Sequence, residues 1–192
     1  MEFTRGDKLD FDPRLQLSRI FVDGFYIWLK VLSKDKEKLT KTFAHMFKLE
    51  YFYVAHEGET IFAKTACING SQPITFDKKI FIQTLGFFRG RIAYFMLKKH
   101  LIRNVYPFEL ANTTGSIEFV ATAPEAQGKG IARQLITFIM NNTPYASYVL
   151  EVVDTNAGAV HLYKKLGFKE IQRTKAPKGS GSNFCLYMQK DM

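Results

Sequence analysis

Four residues in the second half of the chain, Gln127-Gly128-Lys129-Gly130, have the composition of an anion-binding turn. Two glycines one residue apart let the backbone bend sharply and leave its N–H groups uncovered. From Ile131 onward the apolar residues recur at helical spacing, so a helix begins directly after the turn. A helix N-terminus presents free N–H groups and a positive dipole end, and Lys129 adds a cation beside them. The pattern predicts a phosphate site, although the same glycines also suit a tight turn that binds nothing.

The turn matches neither of two common nucleotide-binding loops. A P-loop ends in Gly-Lys-Ser/Thr after a four-residue spacer, and the sequence around Gly130 has no such ending. A dinucleotide-binding loop has a third glycine at the position that Arg133 occupies here. Neither loop type therefore accounts for the predicted anion site.

A second group of residues follows the next predicted strand. Asn156, Ala159 and Tyr163 are spaced so that they share one face of a helix. An amide at the helix start can hydrogen-bond an amide-rich ligand, a small residue permits close approach, and a tyrosine hydroxyl can donate to a leaving group. Asn156 also suits an ordinary helix N-cap and Tyr163 an ordinary core aromatic, so both interpretations stay open.

Two glutamates on neighbouring predicted strands are candidate general bases. Glu118 lies two residues before Val120 and four before Thr122, so it shares their face of the strand. A buried position would raise the pKa of Glu118 and let it accept a proton from an amine, whereas a solvent-facing position would give it no such role. Glu151, on the next strand, is the alternative base.

These residues together resemble the signature of the GCN5-related N-acetyltransferases (GNAT). Gln127-x-x-Gly130-x-Ala132 is similar to that family's Arg/Gln-x-x-Gly-x-Gly/Ala pyrophosphate loop. The segment 156–168, Asn-x-x-Ala-x-x-x-Tyr-x-x-x-Gly-Phe, is similar to its second motif, and the resemblance covers about residues 116–170. Two departures, Ala132 in place of the more usual glycine and Ala126 in place of a larger residue, remove no backbone N–H donor.

The resemblance implies a fold, a co-substrate and a reaction. It implies an α/β fold with a central twisted, mostly antiparallel sheet and helices on both faces, and the chain length fits a single domain over residues 1–192. It implies acetyl-CoA as co-substrate, no metal, and direct transfer of the acetyl group to a primary amine. Tyr163 would then protonate the coenzyme A thiolate, and Glu118 would act as base. The residues expected to contact acetyl-CoA are Val120, Ala121, Thr122, Gln127, Gly128, Lys129, Gly130, Ile131, Ala132, Arg133, Asn156, Ala159 and Tyr163.

Composition limits the class of protein. A chain of 192 residues with 46% hydrophobic and 23% charged residues can bury a substantial core. The polar start and the lack of an apolar run near the ~20 residues needed to cross a bilayer predict a cytoplasmic protein. Two cysteines and four histidines without ligand spacing predict no disulfide and no metal site. The net charge of +9 suits the phosphates of coenzyme A and argues weakly against polycationic acceptors.

The periodicity predicts an alternation of strands and helices. We expect a short edge strand at 1–6, helices at 13–32 and 36–48, and a hairpin of 51–56 and 60–68 around Gly58. A helical segment at 73–108 follows. Strands at 117–122, 148–153, 168–174 and 183–190 then enclose helices that begin at 131 and at about 156.

The segment 78–103 is basic and aromatic, and no acidic residue occurs from Lys78 to Phe108. It suits a core-packing helix pair with a solvated basic face, a wall of the acceptor or adenine site, or a helix on an anionic membrane surface. No nucleic-acid partner is expected, because no RNA- or DNA-binding motif accompanies the charge. The alternative function is a non-catalytic module that binds coenzyme A, a membrane or an acidic partner. The sequence leaves the amine acceptor unidentified and a homodimer open.

Overall fold

The structure, a computed structural model, describes residues 1–101, 106–177 and 180–192, with the backbone alone at 100 and 101. Its strands form a seven-stranded sheet in the order β1-β2-β3-β4-β5-β7-β6. The strands are β1 Glu2–Arg5, β2 Phe52–Glu57, β3 Thr60–Ile68, β4 Thr114–Thr122, β5 Ser147–Val153, β6 Lys169–Lys175 and β7 Phe184–Asp191. Only β4 and β5 pair in parallel; the other neighbours are antiparallel. The expected mixed, mostly antiparallel sheet is confirmed.

Six α-helices accompany the sheet in the described part of the chain. They are α1 Arg14–Leu29, α2 Lys36–Phe43, α3 Lys78–Leu85, α4 Phe87–Leu101, α5 Ile131–Asn142 and α6 Ala157–Lys165. Asp35, Asp77 and Asn156 cap α2, α3 and α6, since their side chains accept from backbone N–H groups of the first turn. The predicted helical segment at 73–108 is thus two helices, separated at Gly86 with φ 86°.

The predicted second helix is shorter than expected. α2 ends at Phe43, and a 3₁₀ turn at Ala44–Met46 follows, although the periodicity suggested a helix to residue 48. Beyond this turn the chain pairs with the segment that precedes α3, because the Thr75 N–H donates to the Met46 carbonyl and the Lys48 N–H to the Pro73 carbonyl. The apolar residues that continued the helical pattern, such as Phe47, are buried in this pairing instead.

The helices pack on both faces of the sheet, as expected. Lys64 and Cys67 of β3 lie three residues apart and therefore face opposite sides. On one side Lys64 packs against Phe21 of α1, and on the other Cys67 shares a core cluster with Ile139 of α5. Among the residues the structure describes, no helix combines the length and the apolar character needed to cross a membrane.

Lys64 is a fully buried lysine at the centre of the sheet. Its Nζ lies 5.0 to 5.7 Å from the ring centroids of Phe21, Phe47, Phe52 and Phe119 and 3.4 Å from the Phe119 carbonyl oxygen. The rings attract a cation, but burial disfavours the charged form and lowers the pKa of Lys64 to about 7. The residue therefore changes protonation state near neutral pH.

Replacing Lys64 with methionine tests this buried amine. Because the pKa is lowered to about 7, the folded protein binds fewer protons than the unfolded chain above pH 7. The free energy of unfolding should then rise between pH 7 and about 8.5, by up to about 1.4 kcal/mol per pH unit for one proton. Lys64→Met should lose this rise when urea unfolding is followed at several pH values.

The exposed Lys34→Met variant is the matched control and should keep the wild-type slope. The comparison stops at about pH 8.5 because Cys67 acts in the opposite direction at higher pH. Burial raises the pKa of the Cys67 thiol to about 12, so the unfolded chain loses that proton first. A Lys64→Met slope equal to that of wild type would show that Lys64 does not titrate in this range.

Candidate active site

Strand β4 carries an irregularity next to Glu118. Its register with β3 pairs Ala66 with Glu118 and Lys64 with Ala121, so three steps on β4 oppose two on β3. This is a β-bulge, and within it Phe119 has a φ of 55°, the only described non-glycine residue with positive φ. The bulge redirects the backbone of β4 at the residues that were expected to contact the acetyl-CoA.

Two buried side chains of β3 hold the bulge in place. The Thr65 hydroxyl donates to the Glu118 carbonyl oxygen at 3.0 Å, and Lys64 Nζ donates to the Phe119 carbonyl oxygen at 3.4 Å. Both donors are fully buried, so neither hydrogen bond competes with solvent. Neither residue belongs to a motif, so neither is recognisable from sequence as part of the site.

On its other side β4 separates from β5. The parallel pairing includes Thr114, Gly115 and Ser116 of β4 and ends at the pair of Ser116 with Val149. From Ile117 to Thr122 no strand in the described part of the chain pairs with this edge of β4, and the backbone groups of Val120, Ala121 and Thr122 lie within that stretch. An open strand edge can pair with an extended ligand through main-chain hydrogen bonds.

The predicted anion turn follows this open edge of β4. Gly128 and Gly130 both have φ 75°, in the left-handed region, and the space where a side chain would project from either glycine is empty. Gly130 is the residue directly before α5, so the turn delivers the free N–H groups of that helix. Gln127 is exposed, and its side-chain amide donates to the Thr122 carbonyl oxygen at 3.3 Å, which ties the turn to the end of β4.

The cations of this region are on the surface. Lys129 and Arg133 are exposed and line a groove of about 650 Å³ along α5. Ile131 is buried beneath the first turn of the helix, and Ala132 is half-buried. The structure thus places two exposed positive side chains beside the helix N-terminus, while Ile131 anchors that end of α5 in the core.

Helix α6 positions the second group of residues. The Asn156 side-chain oxygen accepts from the Ala159 N–H at 3.2 Å, so Asn156 is an N-cap, and its side chain is exposed. Ala159, Tyr163 and Val120 of β4 belong to one core cluster. Tyr163 is 5% exposed, and burial raises the pKa of its hydroxyl to about 12. The hydroxyl is therefore protonated throughout the physiological pH range.

Glu118 lies at a cleft of about 620 Å³. The cleft walls are formed by residues 68–72 after β3, by residues 106–110, and by Asn112, Ser116 and Glu118. Burial raises the pKa of Glu118, while a hydrogen bond from the Ser116 hydroxyl at 3.0 Å acts against this rise and the charge of Glu151 adds to it. Glu118 is thus partly buried and has a raised pKa. These are the two properties that a general base at this position requires.

The other candidate base and a tyrosine lie near Glu118. Burial also raises the pKa of Glu151, which influences Glu118 but is not among the described residues of the cleft wall. The hydroxyl of Tyr106 is buried at the cleft and has no hydrogen-bond partner of ordinary geometry among the described residues, although the Ser116 hydroxyl lies near it. Burial raises the pKa of Tyr106 as well. The cleft therefore offers a carboxyl group and a phenol to a polar ligand.

Neither Ser116 nor Tyr106 is among the site residues expected from sequence, for different reasons. Ser116 precedes Glu118 by two residues, so strand alternation alone would have placed both on one face. Tyr106 was assigned to the end of a helical segment, and no local pattern connects it with Glu118. The part of the segment 78–103 that the structure describes contributes no residue to the cleft wall; Arg103 lies outside the described residues.

Potential metal ligands are dispersed in the described part of the chain, and both cysteines are buried. No group of three or more potential metal-ligating side chains occurs there. Cys67 and Cys185 are both free and buried, and burial raises the pKa of Cys67 to about 12 and of Cys185 to about 11. Both cysteines are held as thiols, the unreactive form.

Several solved structures with the same fold are described as acetyltransferases. An N-acetyltransferase from Staphylococcus aureus Mu50 superposes with a TM-score of 0.67 over 99% of this chain and 100% of that chain, at 15% identity. A ribosomal-protein-alanine N-acetyltransferase from Brucella melitensis gives a TM-score of 0.60 over 100% of both chains, also at 15% identity. At such identities the likeness shows the fold alone.

The fold is therefore one that known acetyltransferases share. A model of the acetyltransferase (GNAT) domain matches residues 48–170, more than half of the chain, and the chain belongs to the GNAT family. Members of this family use acetyl-CoA as the acetyl donor. A mycothiol acetyltransferase from Tsukamurella paurometabola is 38% identical over 66 residues, which span 33% of this chain and 23% of that protein.

The geometry of the glycine turn predicts an effect on stability. Alanine at position 130 must adopt φ 75° with no steric clash, so Gly130→Ala should lower the free energy of unfolding by about 1 to 2 kcal/mol through backbone strain alone. Gly158→Ala is the matched control, since Gly158 has equally open surroundings but lies within α6 without positive φ. Urea unfolding should show that the control is unchanged or more stable; equal losses in both variants would contradict the strained turn.

Proposed function

We propose that this protein transfers an acetyl group from acetyl-CoA to a primary amine by direct attack of the amine on the thioester. The observation that carries the proposal is the open, bulged edge of β4, which leads through a 3₁₀ turn at Pro124–Ala126 into the glycine turn at the start of α5. An extended ligand with a phosphate-bearing end fits such a continuous path. The family supplies the acetyl donor, and the residues below supply the steps.

The residues that would hold acetyl-CoA lie in three places along this path. The N–H groups from Gly128 to Ala132 would bind the pyrophosphate, with Lys129 and Arg133 free to pair with phosphate oxygens. The backbone from Val120 to Thr122 would pair with the pantetheine arm as an added strand. Asn156 would offer its side-chain NH₂ group to the same arm, because only its oxygen is engaged in capping α6. Acetyl-CoA supplies the activated acetyl thioester.

Glu118 is the proposed general base. Its raised pKa makes its carboxylate a stronger proton acceptor than an exposed carboxylate, and its position at the cleft lets an acceptor amine approach it. An ammonium group must lose a proton before it attacks, so Glu118 would take that proton directly or through one water. As the new C–N bond forms, the C–S bond breaks. Glu151 remains the alternative base.

Tyr163 is the proposed donor to the departing sulfur. A phenol with a pKa of about 12 transfers its proton uphill to a thiolate whose conjugate acid has a pKa of roughly 8.5. Its larger contribution is then a hydrogen bond that strengthens as negative charge develops on sulfur. The N–H groups of the β4 bulge would polarise the thioester carbonyl in the same way.

The proposed acceptor is a small amine or a peptide amine that enters the cleft at Glu118. The buried hydroxyl of Tyr106 and the side chain of Ser116 offer it hydrogen bonds. Direct transfer also agrees with the cysteines, because both described thiols have pKa values well above neutrality and neither is suited to carry the acetyl group.

Calorimetric titration of acetyl-CoA tests the donor site. Wild type should bind, and Gly130→Glu should lose binding by at least about tenfold, because a carboxylate then faces the pyrophosphate at the helix N-terminus. Gly58→Glu is the matched control: Gly58 also has positive φ and open surroundings, but it lies in the β2–β3 hairpin turn. No binding by folded wild type, or equal losses in both variants, would refute the donor site.

A pH–rate profile tests the base. In wild type kcat/KM should rise with pH through the raised pKa of Glu118, since only the carboxylate accepts a proton. Glu118→Gln should remove this limb and lower kcat by about 10²- to 10⁴-fold, with acetyl-CoA affinity retained. Glu151→Gln is the control and should keep the limb. If Glu151→Gln loses it and Glu118→Gln keeps it, the role of base belongs to Glu151.

A further inference from the structure

Helix α4 is apolar on two opposite sides. Its inner side consists of Gly90, Ala93 and Leu97, which are all buried. A side chain at Gly90 would collide with the backbone of Phe81 and Ile82, so glycine permits α4 to pack closely on α3. This inner side accounts for the attachment of α4 to the protein and leaves the remaining apolar residues of the helix unexplained.

The outer side of α4 is an exposed apolar stripe. Phe88 is 79% exposed, Ile92 66%, Phe95 56% and Met96 37%. At helical spacing these four residues fall within an arc of about 100°, opposite the inner side. All four stay exposed in the described part of the chain, although Lys78 lies over the ring of Phe95. Single exposed apolar residues are common on the surfaces of soluble proteins, but a continuous stripe of four large ones indicates a contact surface.

Positive charge surrounds this α4 stripe. Between Lys78 and Lys99 the chain has six basic residues and no acidic one: Lys78, Lys79, Arg89, Arg91, Lys98 and Lys99. Lys78 Nζ lies 5.4 Å from the ring centroid of Phe95, and the guanidinium of Arg91 lies 5.4 Å from that of Phe87. The charges are therefore next to the apolar residues, and a partner must accept apolar side chains and cations at the same place.

The apolar stripe and its flanking cations favour one kind of binding partner over two others. A second copy of the chain would bring the same six cations against one another, which opposes self-association through this stripe. A helical peptide partner would need a groove, whereas side chains that are more than half exposed on a single helix form a ridge. An anionic bilayer surface satisfies both requirements, because it accepts an apolar ridge between its acyl chains and presents phosphates to the flanking cations.

We infer that α4 docks this protein on anionic lipid bilayers, with Phe88, Ile92 and Phe95 inserted at the interface and the basic residues on the lipid phosphates. The helix lies in the plane of the interface, where its inner side stays packed on α3. Each basic side chain near such a surface raises the partition coefficient by about fivefold, so the six together suffice for reversible binding at low ionic strength. This property is independent of the proposed acetyl transfer.

Vesicle co-sedimentation of the full chain tests the inference. Wild type should partition onto vesicles of phosphatidylglycerol and phosphatidylcholine at least about tenfold more strongly than onto phosphatidylcholine alone, and salt should weaken the binding. The triple variant F88S/I92S/F95S should lose at least about tenfold in partitioning, because the removed side chains supply the apolar contacts. The matched control, L15S/I171S, removes two exposed apolar residues elsewhere and should bind as wild type does.

Three results would overturn the inference. They are absence of binding to the anionic vesicles, equal binding by the triple variant and wild type, and a wild-type dimer in sedimentation equilibrium that dissociates in the triple variant. Equal binding by the triple variant and wild type would mean that charge alone attracts the protein to the vesicles. A wild-type dimer that dissociates in the triple variant would mean that the stripe is a dimer interface. Because all three replaced side chains are exposed, the triple variant should keep the wild-type unfolding midpoint. An Arg89→Gln/Arg91→Gln variant, which removes two positive charges, should also bind the anionic vesicles more weakly.

Discussion

Two hydrogen bonds from β3 hold β4 in a shape that regular pairing would not produce. Thr65 donates to the Glu118 carbonyl and Lys64 to the Phe119 carbonyl, so both acceptors turn toward the core and Phe119 keeps its positive φ. A regular strand would place its next residues in register with β3 and leave no irregular N–H groups for a ligand. The bulge sets the position of Glu118 and the course of the open edge from Phe119 to Thr122, whereas the turn at Gly128–Gly130 lies beyond a 3₁₀ turn at Pro124–Ala126.

The same interaction places a titratable group beneath the candidate site. Lys64 is held by four aromatic rings, which tolerate either protonation state, and its pKa near 7 means that both states occur under ordinary conditions. Either form still donates a hydrogen bond to the Phe119 carbonyl, so the bulge persists when the charge is lost. The strand is thus held by a donor whose presence does not depend on pH, even though its charge does.

Burial determines how the polar groups around the bulge behave. Glu118 and Tyr163 both have raised pKa values, one as a stronger proton acceptor and the other as a permanently protonated donor. Glu151 lies close enough to add to the shift of Glu118, so two carboxyl groups on adjacent strands influence each other where those strands separate. The separation of β4 from β5 opens the strand edge and also lets these groups share one region.

The glycine turn, the start of α5 and the spacing of Asn156, Ala159 and Tyr163 were predictable from sequence, because turn chemistry and helix periodicity act over a few residues. The hairpin around Gly58 and the edge strand β1 were predictable for the same reason. The helix expected to reach residue 48 ended at Phe43, since long-range pairing with the segment around Ile74 outweighed local periodicity.

By itself, the sequence determined the family, the mixed α/β fold and the position of the anion turn, because each depends on residue types at fixed local spacing. Only the tertiary structure decided that Lys64 and Thr65 support the bulge, that Ser116 and Tyr106 meet Glu118 at one cleft, and which side of α4 is exposed. These facts depend on contacts between residues separated by tens of positions, and such contacts follow from how the strands and helices pack.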